Sequence, residues 1–310
     1  MLTRLNIRPL IWLTFIALSS LHVSYAQTLS STDPTVQATD ILVQANPNQS
    51  FAMQNWGNVQ CDGFIMPSYR VSENGIHDAV QADGTTLRYG RVTDPTDISR
   101  MAYRYSIEPT DPLTASSLRC EIAFSPGGTT GLPINSLFWH AFAVRIPDWR
   151  YTKDEQQLAQ WHAGDTSGLL PIYQLLVRGS EMRLILRYDT SATPSRNTTK
   201  TLVVWRTTNW VPNQWLTLVT QAVVSTNSNV SPFVRTWING TQVVNYKGPV
   251  GYNQPDALPY VKHGIYHWTN LNPWDYTVRQ RAVHMRKAGL VKDLNRIYTP
   301  ASLVNWVHAL

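Results

Sequence analysis

Apolar and polar residues alternate along most of the chain, in short runs separated by turn residues. Alternation with a period of two is the mark of strands with one face buried. It predicts strands over residues 99–108, 118–124, 137–146, 173–177, 182–188, 201–206, 215–224, 233–238, 242–246, 260–268 and 278–288. Asn239-Gly240 separates two of these runs and suits the positive φ angles of a type I′ hairpin turn; Gly179-Ser180 does similar duty earlier. Helical periodicity is confined to residues 300–310 and, weakly, to 153–159. No linker, repeat or low-complexity block divides residues 51–310, so they read as one domain. So many strands must close into a barrel or pack as two sheets, and the 12 Trp and 14 Tyr favour two large packed sheets. The expected fold is all-β: a single-domain β-jelly-roll sandwich, concanavalin A-like, with a concave groove.

The first 26 residues have a different character. Arg4 and Arg8 precede an apolar run too short to span a bilayer, and Ser24-Tyr25-Ala26 offers small residues for cleavage. Residues 1–26 therefore read as a signal peptide rather than an uncleaved anchor, and 27–50, rich in Ser, Thr, Gln, Asn and Pro, as a loose lead-in. A secreted protein is expected, extracellular or, in a bacterium, periplasmic. In that setting Cys61 and Cys120 would pair, closing a loop of about 60 residues for roughly 4 kcal/mol. Four Asn-x-Ser/Thr tripeptides, at Asn48, Asn197, Asn229 and Asn239, could take glycans in a eukaryotic secretory path. The formal charge of +6 becomes +4 without Arg4 and Arg8. That modest excess suits an anionic partner; with no long basic run, nucleic acid is not expected.

Candidate chemistry sits in three strands. In YVKHGIYHW, residues 260–268, an extended chain puts Tyr260, Lys262, Gly264, Tyr266 and Trp268 on one face and Val261, His263, Ile265 and His267 on the other. RCE places Arg119 and Glu121 opposite Cys120, and QWH places Gln160 and His162 opposite Trp161. If these strands are neighbours, one sheet face gathers Arg, Glu, Gln, His, Lys and two Tyr, and Gly264 leaves room for a chain to approach between Lys262 and Tyr266. Trp139 and Trp161 read as core, and His263 and His267 as structural. His140, in LFWHAFAV, is read first as a buried histidine and second as a substrate contact. Asn270, Asn272 and Asp275 suit a turn better than a metal site.

In order and spacing, RCEI, QWH and YVKHGIYHW resemble the motifs of the jelly-roll polysaccharide lyases, in particular the heparin lyase I-like and glucuronan lyase-like group, with alginate lyases more distant. Ala123 stands where alginate lyases carry a second Arg, and Trp268 where they carry Gln. The resemblance implies β-elimination from a polyuronate, leaving 4,5-unsaturated ends. The enzyme must neutralise the uronate carboxylate and stabilise the enolate-like dianion formed when the C5 proton leaves. By resemblance Gln160 donates to the carboxylate, Arg119 and Lys262 add positive charge, His162 is the base or a neutralising donor, and Tyr266 protonates the leaving oxygen and is the other candidate base. Where H5 and O4 lie on the same side, as in β-1,4-glucuronate, one tyrosine can do both jobs; where they are opposed, as in iduronate or guluronate, His162 would be the base. Tyrosine needs its pKa lowered, and Lys262 is the candidate agent. Glu121 orients Arg119, and Tyr260, Trp268, Glu121 and His140 complete the expected substrate contacts. No cofactor is needed for this chemistry; a structural calcium occurs in some relatives, but no ligand set is legible. The expected partner is an anionic polysaccharide, with neither nucleic acid nor membrane, and a monomer. β-1,4-Glucuronan is favoured over heparin, heparan or alginate, because a highly sulfated chain calls for a denser basic cleft. A lectin would not need His162, Lys262 and Tyr266 to converge, and a glycoside hydrolase would need two carboxylates where Glu121 stands alone.

Overall fold

The computed structural model describes residues 33–48, 58–61, 64–67, 88–114, 116–124, 131–164, 168–253, 258–269, 273–293 and 295–309. Residues 1–26, read as a signal peptide, lie outside them, as do Asn270 and Asn272. The strands are β1 (Ile41–Ala45), β2 (Asn58–Cys61), β3 (Phe64–Pro67), β4 (Tyr89–Asp94), β5 (Asp97–Ile107), β6 (Leu118–Ala123), β7 (Leu137–Arg145), β8 (Glu155–His162), β9 (Tyr173–Arg178), β10 (Glu181–Asp189), β11 (Lys200–Thr207), β12 (Trp215–Val223), β13 (Phe233–Ile238), β14 (Thr241–Lys247), β15 (Gly251–Tyr252), β16 (Tyr260–His267) and β17 (Arg281–Lys292). They form two sheets of a jelly-roll sandwich. One runs β14-β13-β12-β7-β17-β5-β4 with β1 also on β17; the other runs β11-β10-β9-β8-β16-β6-β2-β3 with β15 on β10. The inner faces meet in one apolar core that includes Phe138, Phe142, Trp161, Tyr173, Val261 and Ile265.

A strand buried on both sides loses its alternation, and β7 shows why. Phe138, Phe142 and Val144 face the sandwich core, while Trp139, Ala141 and Ala143 lie under the C-terminal helix α1 (Pro300–His308), packed by Leu303, Val304, Trp306 and Val307. That helix starts as its sequence suggests, with Pro300 in the first turn and Thr299 capping the Ser302 amide. The hairpin turns also follow the sequence: φ is +48° at Asn239, +79° at Gly240 and +56° at Gly179.

Two expectations are corrected. Residues 27–50 are not loose throughout: β1 pairs antiparallel with β17, and the Tyr298 hydroxyl donates to Asp40 at 2.6 Å. Hydrogen bonding to a long inner strand outweighs a polar, turn-rich composition. Residues 153–159, weakly helical in pattern, enter β8 instead. The register between β8 and β9 shifts between Gln157 and Ala159, a bulge that breaks the period of two and imitates a helical spacing. Among the described residues, no helix is long and apolar enough to cross a membrane.

Candidate active site

The three motif strands are neighbours. β16 lies between β6 and β8, with Lys262 opposite Gln160 and Ala123, Gly264 opposite Glu121, Tyr266 opposite Arg119, and Tyr260 opposite His162. Val261 and Ile265 fill the core, so Tyr260, Lys262 and Tyr266 occupy the outer face of the sheet. Gln160, His162, Lys262, Tyr266 and Arg119 are thereby brought together. Lys262 and Gln160 form a buried floor, while His162, Tyr266 and Trp268 are partly exposed above it.

The hub of the floor is Gln60 on β2, which the sequence analysis missed. Its Oε1 accepts from Lys262 Nζ at 2.9 Å and from Arg119 Nη1 at 3.1 Å. The disulfide Cys61–Cys120 pins β2 to β6 in register beside it, as the cysteine count predicted. Glu121 Oε1 accepts from Gln160 Nε2 at 2.9 Å, and its Oε2 lies 3.7 Å from Lys262 and 3.8 Å from Arg119. One buried carboxylate thus faces two cations. Glu121 is accordingly a positioning group for Gln160 as well as Arg119, and at 1% exposure it does not present itself as a substrate contact.

His162 stacks on Tyr260 with ring centroids 4.8 Å apart. Its Nδ1 accepts the Gly164 amide at 3.1 Å, so in the neutral ring the proton resides on Nε2. Burial, then Lys262 and Arg119, hold its pKa down at about 3, which keeps the imidazole neutral. His162 is thus arranged as an N–H donor. Tyr266 meets Ser117 Oγ at 3.0 Å, and the Arg119 guanidinium lies 4.4 Å from the centre of its ring. Burial raises the phenol's pKa, while Ser117 and Arg119 pull against that rise. The cation at Tyr266 is therefore Arg119; Lys262, expected in that role, instead lies 5.8 Å from the Tyr260 ring and has its own pKa lowered by burial. Trp268 meets Tyr266 edge-on at 5.5 Å. Burial pushes Tyr260 up to about 12.

Other assignments are redrawn by packing. His140 is fully buried in the sandwich core, accepting from Trp161 Nε1 at Nδ1 and meeting His263 Nε2 through its own Nε2 at 3.0 Å, so it contacts no substrate. Gly264 has φ +141°, and a Cβ there would lie 2.1 Å from the Cys120 carbonyl oxygen, so the glycine is dictated by the neighbouring strand rather than by room for a polymer. Asp275 accepts the amides of Lys153 and Thr277, a turn as expected. The β8 bulge adds Gln157, directly opposite Tyr266, whose Oε1 accepts from Gln174 on β9. Gln157 and Gln160 share a face despite their odd separation, so only knowledge of the bulge could have found it.

Comparisons with known proteins agree with this architecture. No curated protein matches the sequence. The fold resembles the endo-β-1,4-glucuronan lyase from the fungus Trichoderma reesei, with a TM-score of 0.53 at 14% identity, covering 68% of this chain and 89% of that one. It also resembles the alginate lyase A1-II′ (TM-score 0.52, 12% identity, 80% and 100% covered) and the family 7 alginate lyase AlgAT5 (0.51, 12%, 80% and 97%). At these identities the likeness is one of fold. The family model described as polysaccharide lyase matches residues 52–284, from before β2 into β17. This chain belongs to the polysaccharide lyase family.

Proposed function

We propose that this lyase cleaves β-1,4-linked polyglucuronate by syn elimination, with Tyr266 handling both protons. The observation that carries this reading is the His162 tautomer: with Nδ1 occupied by the Gly164 amide, the group facing the site is a donor, not a base. Tyr266 is then the remaining candidate base of the pair. Lys262, Arg119, Gln160 and His162 Nε2–H neutralise the uronate carboxylate, which acidifies H5. Tyrosinate takes H5, the electron pair forms the C4–C5 double bond, the C4–O4 bond breaks, and the new phenol returns its proton to O4. This cycle suits a sugar with H5 and O4 on one side. Ala123, buried opposite Lys262, supplies no second arginine of the alginate-lyase kind. A secreted location accords with the disulfide and with the character of residues 1–26.

The test is incubation with glucuronan, heparin and alginate, following the ultraviolet absorbance of the unsaturated product. A rise with glucuronan alone supports the reading; a rise only with heparin or alginate moves the substrate. Binding without any rise would favour a lectin.

A further inference from the structure

Arg187 on β10 is buried, at 7% exposure, on the same outer face as the cluster. Its neighbours Leu184 and Leu186 face the core, and its amide donates to Ile172 O, which in turn follows the Trp161–His162 end of β8 across the sheet. The guanidinium donates to Thr201 Oγ1 at 3.1 Å, to Pro171 O at 2.8 Å and to Gln174 Oε1. All three acceptors are uncharged; the carboxylate that favours its charge, Glu155, makes its ion pair with Arg183 instead. Gln174 passes the alignment on, donating to Gln157 opposite Tyr266. The outer face therefore carries Arg119, Lys262 and Arg187, with the Glu121 carboxylate shared by the first two and that of Glu155, which acts on the third, hydrogen-bonded to Arg183. A buried guanidinium whose own hydrogen bonds all go to neutral acceptors is incompletely compensated, and a ligand that brings an anion relieves this.

We propose that Arg187 is a second carboxylate-binding point for the polymer, several sugar units from the scissile bond. The proposal rests on the polyuronate reading above and deepens it. From β16 to β10 is three strand spacings, about 14 Å. A chain laid across the strands would set one carboxylate among Gln160, Lys262 and Arg119 and a later one over Arg187. Long chains then gain an interaction that the shortest cleavable oligomer cannot make.

The experiment compares kcat/KM on long glucuronan with that on short oligoglucuronates, for the wild type, Arg187→Gln and Gln174→Glu. Gln174→Glu keeps Arg187 and an acceptor beside it but supplies the counter-charge internally, so it decides the matter even if Arg187→Gln fails to fold. The ratio of long-chain to short-chain kcat/KM should fall about tenfold or more in both variants, with the unfolding midpoint of Gln174→Glu unchanged or raised. A ratio equal to wild type in Gln174→Glu, or equal proportional losses at every length, overturns the proposal. A wild type that cleaves alginate but not glucuronan removes only the glucuronan assignment, and the same ratio is then read on alginate. A wild type that cleaves no polyuronate removes both.

Discussion

Replacing Gln60 by Leu removes the side-chain amide, and with it the oxygen that both cations share, and should disable much of the site. Lys262 Nζ and Arg119 Nη1 each lie within a hydrogen bond of that oxygen, so they can be no further apart than the two distances together, about 6 Å. At an effective dielectric of about 20, two unit charges at that separation repel by roughly 3 kcal/mol. The Gln60 carbonyl dipole and the Glu121 carboxylate hold the pair against this repulsion. Leucine fills a similar volume but accepts nothing, leaving both cations short of a partner and free to splay apart. We expect kcat/KM on glucuronan to fall about a hundredfold, the equivalent of roughly 3 kcal/mol. Gln60→Glu separates alignment from charge: it should stabilise the fold by pairing with both cations, yet raise KM by competing with the substrate carboxylate. Initial rates by ultraviolet absorbance and thermal midpoints measure both. A Gln60→Leu enzyme within threefold of wild type would refute the idea that Gln60 organises the cations.

Acid should destabilise the protein through the His140–His263 pair. Burial depresses both pKa values, His140 to about 3, so as pH falls below the ordinary value of about 6.5 the unfolded chain binds protons that the folded chain refuses. Stability is complete above that value and declines toward pH 3, by about 2 kcal/mol for His140 at pH 5. His263→Phe, packed by Phe124 and Phe142, should flatten this dependence in denaturant melts; an unchanged slope would count against the buried pair. Because burial raises the Tyr266 pKa, kcat/KM should climb with pH through the neutral range; a flat profile there would return the base to His162, whose ring is already neutral. Replacing both cysteines by Ser should cost about 4 kcal/mol in the chain-entropy model for a bridge spanning 59 residues, and should lower activity through Gln60; loss of neither would dissociate the disulfide from the site.

The sequence carried the outer-face motifs well because alternation holds within each short motif: Lys262 and Tyr266 on β16 in register with β6, Arg119 and Glu121 on β6, Gln160 and His162 on β8 beyond its bulge. What it hid was of two kinds. Gln157 was concealed by a bulge, since one extra residue reverses the face of everything before it. Gln60 and Arg187 were concealed by distance along the chain: nothing local to residue 60 says that it will lie beside Glu121, and nothing local to residue 187 says which groups will surround it. His140 failed as a substrate contact for a third reason. In a strand covered on both faces, polarity does not mark the side that meets solvent, and the histidine is satisfied by Trp161 and His263 inside the core.

Tyr266→Phe on glucuronan is the most direct test, because it deletes one hydroxyl and leaves the ring between Arg119 and Trp268. If one phenol both takes H5 and protonates O4, the rate of unsaturated product formation falls by about a thousandfold or more, with the unfolding midpoint unchanged. If the variant keeps a tenth or more of the wild-type rate, another group moves the protons and the proposed chemistry is wrong.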